Sequence, residues 1–247
     1  MRVSKTSKVV SSIAVTTALV CAATMLFTVY VPASRGFFNM GETMVYLSAI
    51  LFGPFIGAFA GGVGSMLADI LLGYYYYAPA TLLIKASEGF IIGFLCSRSP
   101  KIGRTSWRIL TSLLGLLVGA LLAFIGSSYY SGNIELTLGH AIFVHYIPQA
   151  FWLTLGALII LLIISIGIIA QPEAGWTILS IIAGGLVMVL GYYIYEAYFI
   201  YPLFGIEAIA IAEIPINIGQ MIIGLMISVP VARVIKRFFH NSLGEIC

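Results

Sequence analysis

Six charged side chains stand in or at the ends of stretches that are otherwise apolar: Glu42, Asp69, Lys85, Glu88, Glu196 and Glu213. An ionisable group at the centre of a membrane helix costs about 2.5–3.5 kcal/mol on insertion scales, so each marks a candidate site. Lys85 and Glu88 are three residues apart and share one helix face. Glu213, Asn217 and Gln220 follow i, i+4, i+7 spacing and make one polar stripe. Asn39 precedes Glu42, four tyrosines run from Tyr74 to Tyr77, and Glu196 has Tyr192, Tyr193 and Tyr195 beside it. Carboxylates, amides and phenols in this mixture suit hydrogen bonding and stacking against a polar solute. They do not suit bond-making chemistry. No GxxxxGK[ST] loop is present for a nucleotide, and HExxH is absent. His140 and His145 are five apart, which does not set them on one helix face as zinc ligands. Gly62-Val63-Gly64-Ser65 lacks the order of a nucleophile elbow. Cys21, Cys96 and Cys247 are too far apart for a cysteine zinc site or a disulfide framework. The sequence therefore predicts no catalytic residue, no metal ligand set and no cofactor.

The elements that position these groups follow from composition. Of 247 residues, 61% are apolar and 9% charged, where soluble domains carry about 25% charged. Charge that sparse cannot cover a water-facing surface, which excludes a soluble enzyme, a disordered chain and a nucleic-acid-binding protein. A bilayer core about 30 Å thick needs about 20 apolar residues per helix. Val9–Val31 meets that need and is too long for a signal peptide. After a loop over 32–41, the stretch 42–72 is broken at Gly53-Pro54, giving helices over 42–53 and 55–72. Further segments are expected over 80–97, 109–130, 141–170, 176–200 and 208–233. The result is an all-α integral membrane protein of eight segments. With the N-terminus inside, Arg2, Lys5, Lys8, Arg98, Lys101, Arg104, Arg108, Arg233, Lys236 and Arg237 are cytoplasmic, against Arg35 in an outer loop. That bias predicts that both termini are cytoplasmic, in a multi-pass protein of the cell membrane.

In this topology five helices aim polar groups at one outward-facing level, while their inner halves are almost free of them. The candidate solute-binding residues are Asn39, Glu42, Asp69, Tyr75, Lys85, Glu88, Glu196, Glu213, Asn217 and Gln220. The plainer alternative is a set of helix-end residues near headgroups, with Lys85–Glu88 or Lys85–Asp69 holding helices together. Tyr74 to Tyr77 suit either a lid that stacks on an aromatic ligand or an interfacial belt. Gly57, Gly61, Gly64 and Ala68 form a strip for close helix packing. Ala14, Ala18 and Ala22 form a second strip, for which spacing alone favours packing inside the protein.

Order and spacing then bring a family into view. Ala14-x-x-x-Ala18-x-x-x-Ala22 is followed by Asn39-Met-Gly41-Glu42 and Leu51-Phe-Gly-Pro-Phe-Ile-Gly57. Next come Ala68-Asp69 and Pro79-Ala-Thr-Leu-Leu-Ile-Lys85-Ala-Ser-Glu88. This resembles the S component, the substrate-binding membrane subunit, of energy-coupling factor (ECF) transporters, in the riboflavin and hydroxymethylpyrimidine transporter-like branch. Gly191-Tyr-Tyr-Ile-Tyr-Glu196 and Glu213-Ile-Pro-Ile-Asn217-Ile-Gly-Gln220 resemble that family's last two helices. The resemblance implies a single membrane domain over 1–247, with a six-helix core at 8–98 and 176–237 and an inserted helical hairpin at 107–171. It implies capture of a small vitamin or precursor from outside. The implied partners are a transmembrane coupling (T) subunit and two ATPases, and the Ala14, Ala18, Ala22 face becomes the docking surface.

Two other classes stay open on the residues alone. One is a free-standing secondary transporter in which Asp69, Glu196 or Glu213 carries a proton. The other is a membrane-embedded enzyme acting on lipid or peptide. Proton dependence against ATP dependence of uptake separates the first, and recovery of intact ligand counts against the second. Five acids against Arg35 and Lys85 favour a neutral or cationic heterocycle over an anionic vitamin.

Overall fold

The computed structural model describes residues 5–31, 35–98, 103–129, 131–138, 141–169, 172–207 and 209–238. Arg2, Lys101, His140 and Cys247 lie outside the described residues, as do the two chain ends whose side of the membrane the basic residues predict. The elements in order are α1 (Lys5–Leu26), β1 (Thr28–Val31), β2 (Gly36–Asn39), α2 (Gly41–Phe52), α3 (Pro54–Leu72) and α4 (Ala78–Ser97). They continue with α5 (Arg104–Tyr129), β3 (Gly132–Leu138), β4 (Ala141–Ile147), α6 (Gln149–Ile169), α7 (Pro172–Tyr198), α8 (Ile200–Phe204) and α9 (Ala210–Phe238). Among the described residues, six helices are long and apolar enough to cross a bilayer, within α1, α3, α4, α6, α7 and α9. This is a multi-pass helical membrane protein.

Two segments depart from the sequence expectation for one shared reason. The first helix stops at Leu26, and Thr28–Val31 pairs antiparallel with Gly36–Asn39 inside the stretch expected as a loop. The segment expected as helix over 141–170 begins as a strand, Ala141–Ile147, paired with Gly132–Leu138. Both strands are rich in β-branched and aromatic residues, which favour pleated structure. Both also run into a proline, Pro32 and Pro148. The residue before proline is pushed from helical to extended conformation.

The chain divides into two compact units, Met1–Ser99 with Trp176–Cys247, and Pro100–Gly175. In the second unit α5 and α6 pack closely through glycine. A Cβ on Gly156 would come within 2.6 Å of the Gly119 carbonyl oxygen. Among the described residues, the buried charged side chains lie in the first unit, with the larger core, which includes Val20, Val45, Tyr46, Ala60, Ile92 and Ile181.

Glycine sets the geometry of the first unit. Gly53 has φ 84°, a left-handed value that glycine adopts without strain. With Pro54 at the first turn of α3, it makes the corner between α2 and α3. Along α3, a Cβ on Gly61 would lie 2.8 Å from the Lys85 carbonyl oxygen, and one on Gly64 would lie 2.8 Å from that of Thr17. The strip therefore brings α3 against the backbones of both α4 and α1. Backbone atoms cannot yield as a side-chain tip can. Gly61→Val is expected to cost about 1–3 kcal/mol from overpacking, read as a lower thermal unfolding midpoint in detergent. An unchanged midpoint would mean that α3 and α4 need not approach so closely.

Candidate functional site

The six-residue charged set comes together in the first unit. Lys85, 4% exposed, donates from Nζ to Glu42 Oε1 and, at 3.2 Å, to Glu88 Oε2. The Tyr46 hydroxyl donates to Glu88 Oε1 at 3.1 Å. Tyr46 and Glu42 lie one helical turn apart on α2, and Lys85 and Glu88 almost one turn apart on α4. The cluster thus ties those two helices together. Of the pairings left open by the sequence, Lys85–Glu88 is present, and Glu42 takes the place considered for Asp69.

Above this cluster is a narrow chamber. Its walls include Phe37 and Asn39 of β2, Ser65 and Asp69 of α3, Thr81 and Lys85 of α4, Tyr192 of α7, and Glu213, Asn217 and Gln220 of α9. Its free volume is about 30 Å³, room for two or three waters at about 10–15 Å³ each. A vitamin-sized solute therefore enters only if these walls part. The Tyr192 hydroxyl donates to Thr81 Oγ1 at 3.0 Å. Lys85 Nζ is also 5.6 Å from the centroid of the Tyr192 ring, within cation–π range. Among the described residues no cluster of His, Cys, Asp and Glu is placed to hold a metal ion.

The tyrosine run forms a roof tied down by its own hydroxyls. Tyr77 donates to Glu196 at 2.6 Å, Tyr76 to the Arg35 carbonyl at 3.0 Å, and Tyr195 to the Tyr76 carbonyl. The Phe37 ring meets Tyr74 with centroids 4.6 Å apart. Burial pushes the phenols of Tyr74 and Tyr76 above their ordinary range, and burial beside the Glu196 carboxylate does so more strongly for Tyr77. The Tyr76 and Tyr77 hydroxyls stay protonated and act as donors.

Of the residues expected from the sequence, Asn39, Asp69, Lys85, Glu213, Asn217 and Gln220 line the chamber. Glu42, Glu88 and Glu196 are buried behind it, holding Lys85 and Tyr77. Tyr75 is a correction: it is 65% exposed and is not among the chamber's wall residues. Thr24, Phe37, Ser65 and Thr81 line the chamber without having been singled out. Ser65 and Thr81 precede Asp69 and Lys85 by four residues, a spacing that could have found them. Phe37 carries no comparable signal.

The structure is thus a multi-pass helical membrane protein with a small, buried, polar chamber. Over residues 4–170 the chain matches the family model for the ECF-type riboflavin transporter, S component. The chain belongs to that family, whose members are transporter subunits rather than enzymes. An uncharacterized protein of Pyrococcus woesei is 44% identical over 103 residues, 42% of this chain and 64% of that protein. The thiamine precursor transporter HmpT of Lactococcus lactis subsp. cremoris (strain MG1363) is 28% identical over 139 residues, 56% of this chain and 75% of the relative. The chain thus spans less than two thirds of the Pyrococcus protein's length. The family match runs on to residue 170, through nearly all of 107–171, the stretch read as an inserted hairpin, and ends before α7 and α9.

Removing one partner from a buried ion cluster leaves uncompensated charge and typically costs about 3–5 kcal/mol. Lys85→Met is therefore expected to lower the thermal midpoint sharply. The triple variant Lys85→Met, Glu42→Gln, Glu88→Gln should recover much of the loss. A single variant as stable as the parent would mean that the cluster does not hold α2 to α4.

Proposed function

We propose that this protein is the substrate-capture subunit of an ECF-type importer, taking a small vitamin or vitamin precursor from outside the cell. The observation that carries this reading is the chamber, where the single lysine is already committed to two carboxylates. Its charge is spent within the fold. The remaining wall groups include two further acids, Asp69 and Glu213, and the amides of Asn217 and Gln220. Such a wall favours a neutral or cationic heterocycle of the pyrimidine, pyridine or flavin type. Biotin-like and pantothenate-like acids are disfavoured by repulsion.

Uptake is driven, in this reading, by docking on a transmembrane coupling subunit served by two ATPases. Ala14, Ala18 and Ala22 are exposed on α1 and line an apolar groove with Val10, Ile13 and Phe59. Small residues let a partner's membrane helix approach closely, and van der Waals fit suits a contact that must form and break. The partner is the coupling subunit, as family membership suggests. Residues 107–171 are proposed to act as an accessory hairpin. That role is supported by their lying within a separate compact unit and by a chamber wall drawn from outside them.

Three measurements test this. Purified protein should bind a heterocycle from a vitamin panel, and Asn217→Ala should weaken that binding by about 1–3 kcal/mol through loss of a buried hydrogen bond. Tight binding of an anionic vitamin would reject the charge argument. Ala14→Trp and Ala18→Trp should abolish ATP-driven uptake while leaving binding intact. Unchanged uptake with normal recovery of the assembled complex would remove the docking assignment. Tyr146→Ala and Trp152→Ala should leave affinity unchanged, and a loss of binding would contradict the accessory role.

A further inference from the structure

One amide in the chamber has its orientation fixed by a chain of hydrogen bonds that begins at the backbone. The Asn39 N–H can only donate, and it donates to Gln220 Oε1 at 2.8 Å. The Gln220 amide nitrogen must therefore face the other way, where it donates to Asn217 Oδ1 at 2.8 Å. Reversing Gln220 would set its NH₂ against the Asn39 N–H. Reversing Asn217 would set two NH₂ groups against each other. Asn217 Nδ2 is left without a protein partner although the residue is 1% exposed and lines the chamber. A second wall group has the opposite polarity. Asp69 Oδ2 is buried, also lacks a partner, and belongs to a residue of the same wall.

We propose that the chamber selects its solute by this fixed polarity. A ring nitrogen or carbonyl oxygen of the solute meets Asn217 Nδ2, and a solute N–H or O–H meets Asp69 Oδ2. Gln220 is a positioning residue that holds Asn217 in its orientation. The inference rests on the chamber being the solute site. It narrows the solute to heterocycles carrying both an acceptor and a donor, such as an amino-substituted pyrimidine or an imide edge. A phosphate ester adds acceptors and negative charge but no donor for Asp69, so the unphosphorylated form is the one taken. A buried donor or acceptor left unpaired costs more than a hydrogen bond gains, which is the basis of such discrimination.

The experiment has two arms. In ligand-free protein labelled with ¹⁵N in asparagine and glutamine side chains, resonances are assigned from Asn217→Asp and Gln220→Glu. Hydrogen exchange at the Gln220 amide should be about tenfold slower than at Asn217, the scale of one buried hydrogen bond. A protected Asn217 amide beside a fast-exchanging Gln220 would overturn the relay. The second arm measures binding of hydroxymethylpyrimidine and of riboflavin, each beside analogues with CH in place of one ring nitrogen. Replacing the nitrogen that faces Asn217 should weaken binding about tenfold or more in the parent. That ratio should vanish in Asn217→Ala and shrink in Gln220→Met, which leaves Asn217 free to rotate. A nitrogen-to-CH ratio that is unchanged in both variants would reject the proposal. If neither parent compound binds, the solute reading falls, and the exchange arm still decides the relay.

Discussion

The arrangement of the first unit depends on one lysine kept charged where water is scarce. Hydrocarbon offers no solvation to an ammonium, so Lys85 must find its partners within the protein. It finds Glu42 on α2 and Glu88 on its own helix, with Glu88 steadied by the Tyr46 hydroxyl. This cluster fixes the height of α2 against α4. It also explains how α2, only 12 residues long, holds its place without spanning a bilayer. Its side chains are buried along nearly the whole length, against α1, α3, α4 and α9. The glycines of α3 make that cluster reachable by allowing the α4 backbone to come close.

Once Lys85 is committed, the rest of the chamber takes its character from what remains. A lysine balanced by two carboxylates is a poor anchor for an anionic solute, because the solute would have to displace a buried carboxylate from it. In the proposed reading, recognition passes to the Asn217 amide and the Asp69 carboxylate, which read hydrogen-bond polarity. The tyrosine roof contributes shape more than chemistry. Its hydroxyls at Tyr76, Tyr77 and Tyr195 are spent on Arg35, Glu196 and the Tyr76 backbone. Of these rings Tyr77 lines the chamber, and its hydrogen bond to Glu196 fixes it there.

Much of this frame was legible in the sequence because charge in an apolar helix has few physical outcomes. Asp69, Lys85, Glu213, Asn217 and Gln220 declared themselves by cost and spacing, and the Gly53-Pro54 corner by backbone chemistry. The two β-hairpins were not legible from hydropathy, because an apolar strand and the end of an apolar helix have the same composition. Proline at 32 and 148 was the available signal. The partner of Lys85 was ambiguous between Glu88 and Asp69, because sequence spacing fixes a face within one helix but not the register between helices. Tyr75 could not be separated from its neighbours, since four consecutive tyrosines carry no phase. The polarity of Asn217 depends on the backbone N–H of Asn39, 178 positions away, and no local pattern encodes it.

The family match and the chamber divide the chain in an informative way. The matched residues, 4–170, supply α1 to α4 and with them the ion cluster, the glycine strip and the Ala14–Ala18–Ala22 face. Tyr192, Glu213, Asn217 and Gln220 come from α7 and α9, beyond the match. Membership therefore bears most directly on the frame and on Asp69, while Asn217, the other group proposed to read the heterocycle, lies outside the match. A riboflavin name on the family and a thiamine-precursor name on a relative are compatible with one frame for this reason. In the proposed reading, a change of solute needs a new donor or acceptor at positions such as Asn217 on α9 or Asp69 on α3. It leaves the Lys85 cluster, on which the helix packing depends, untouched.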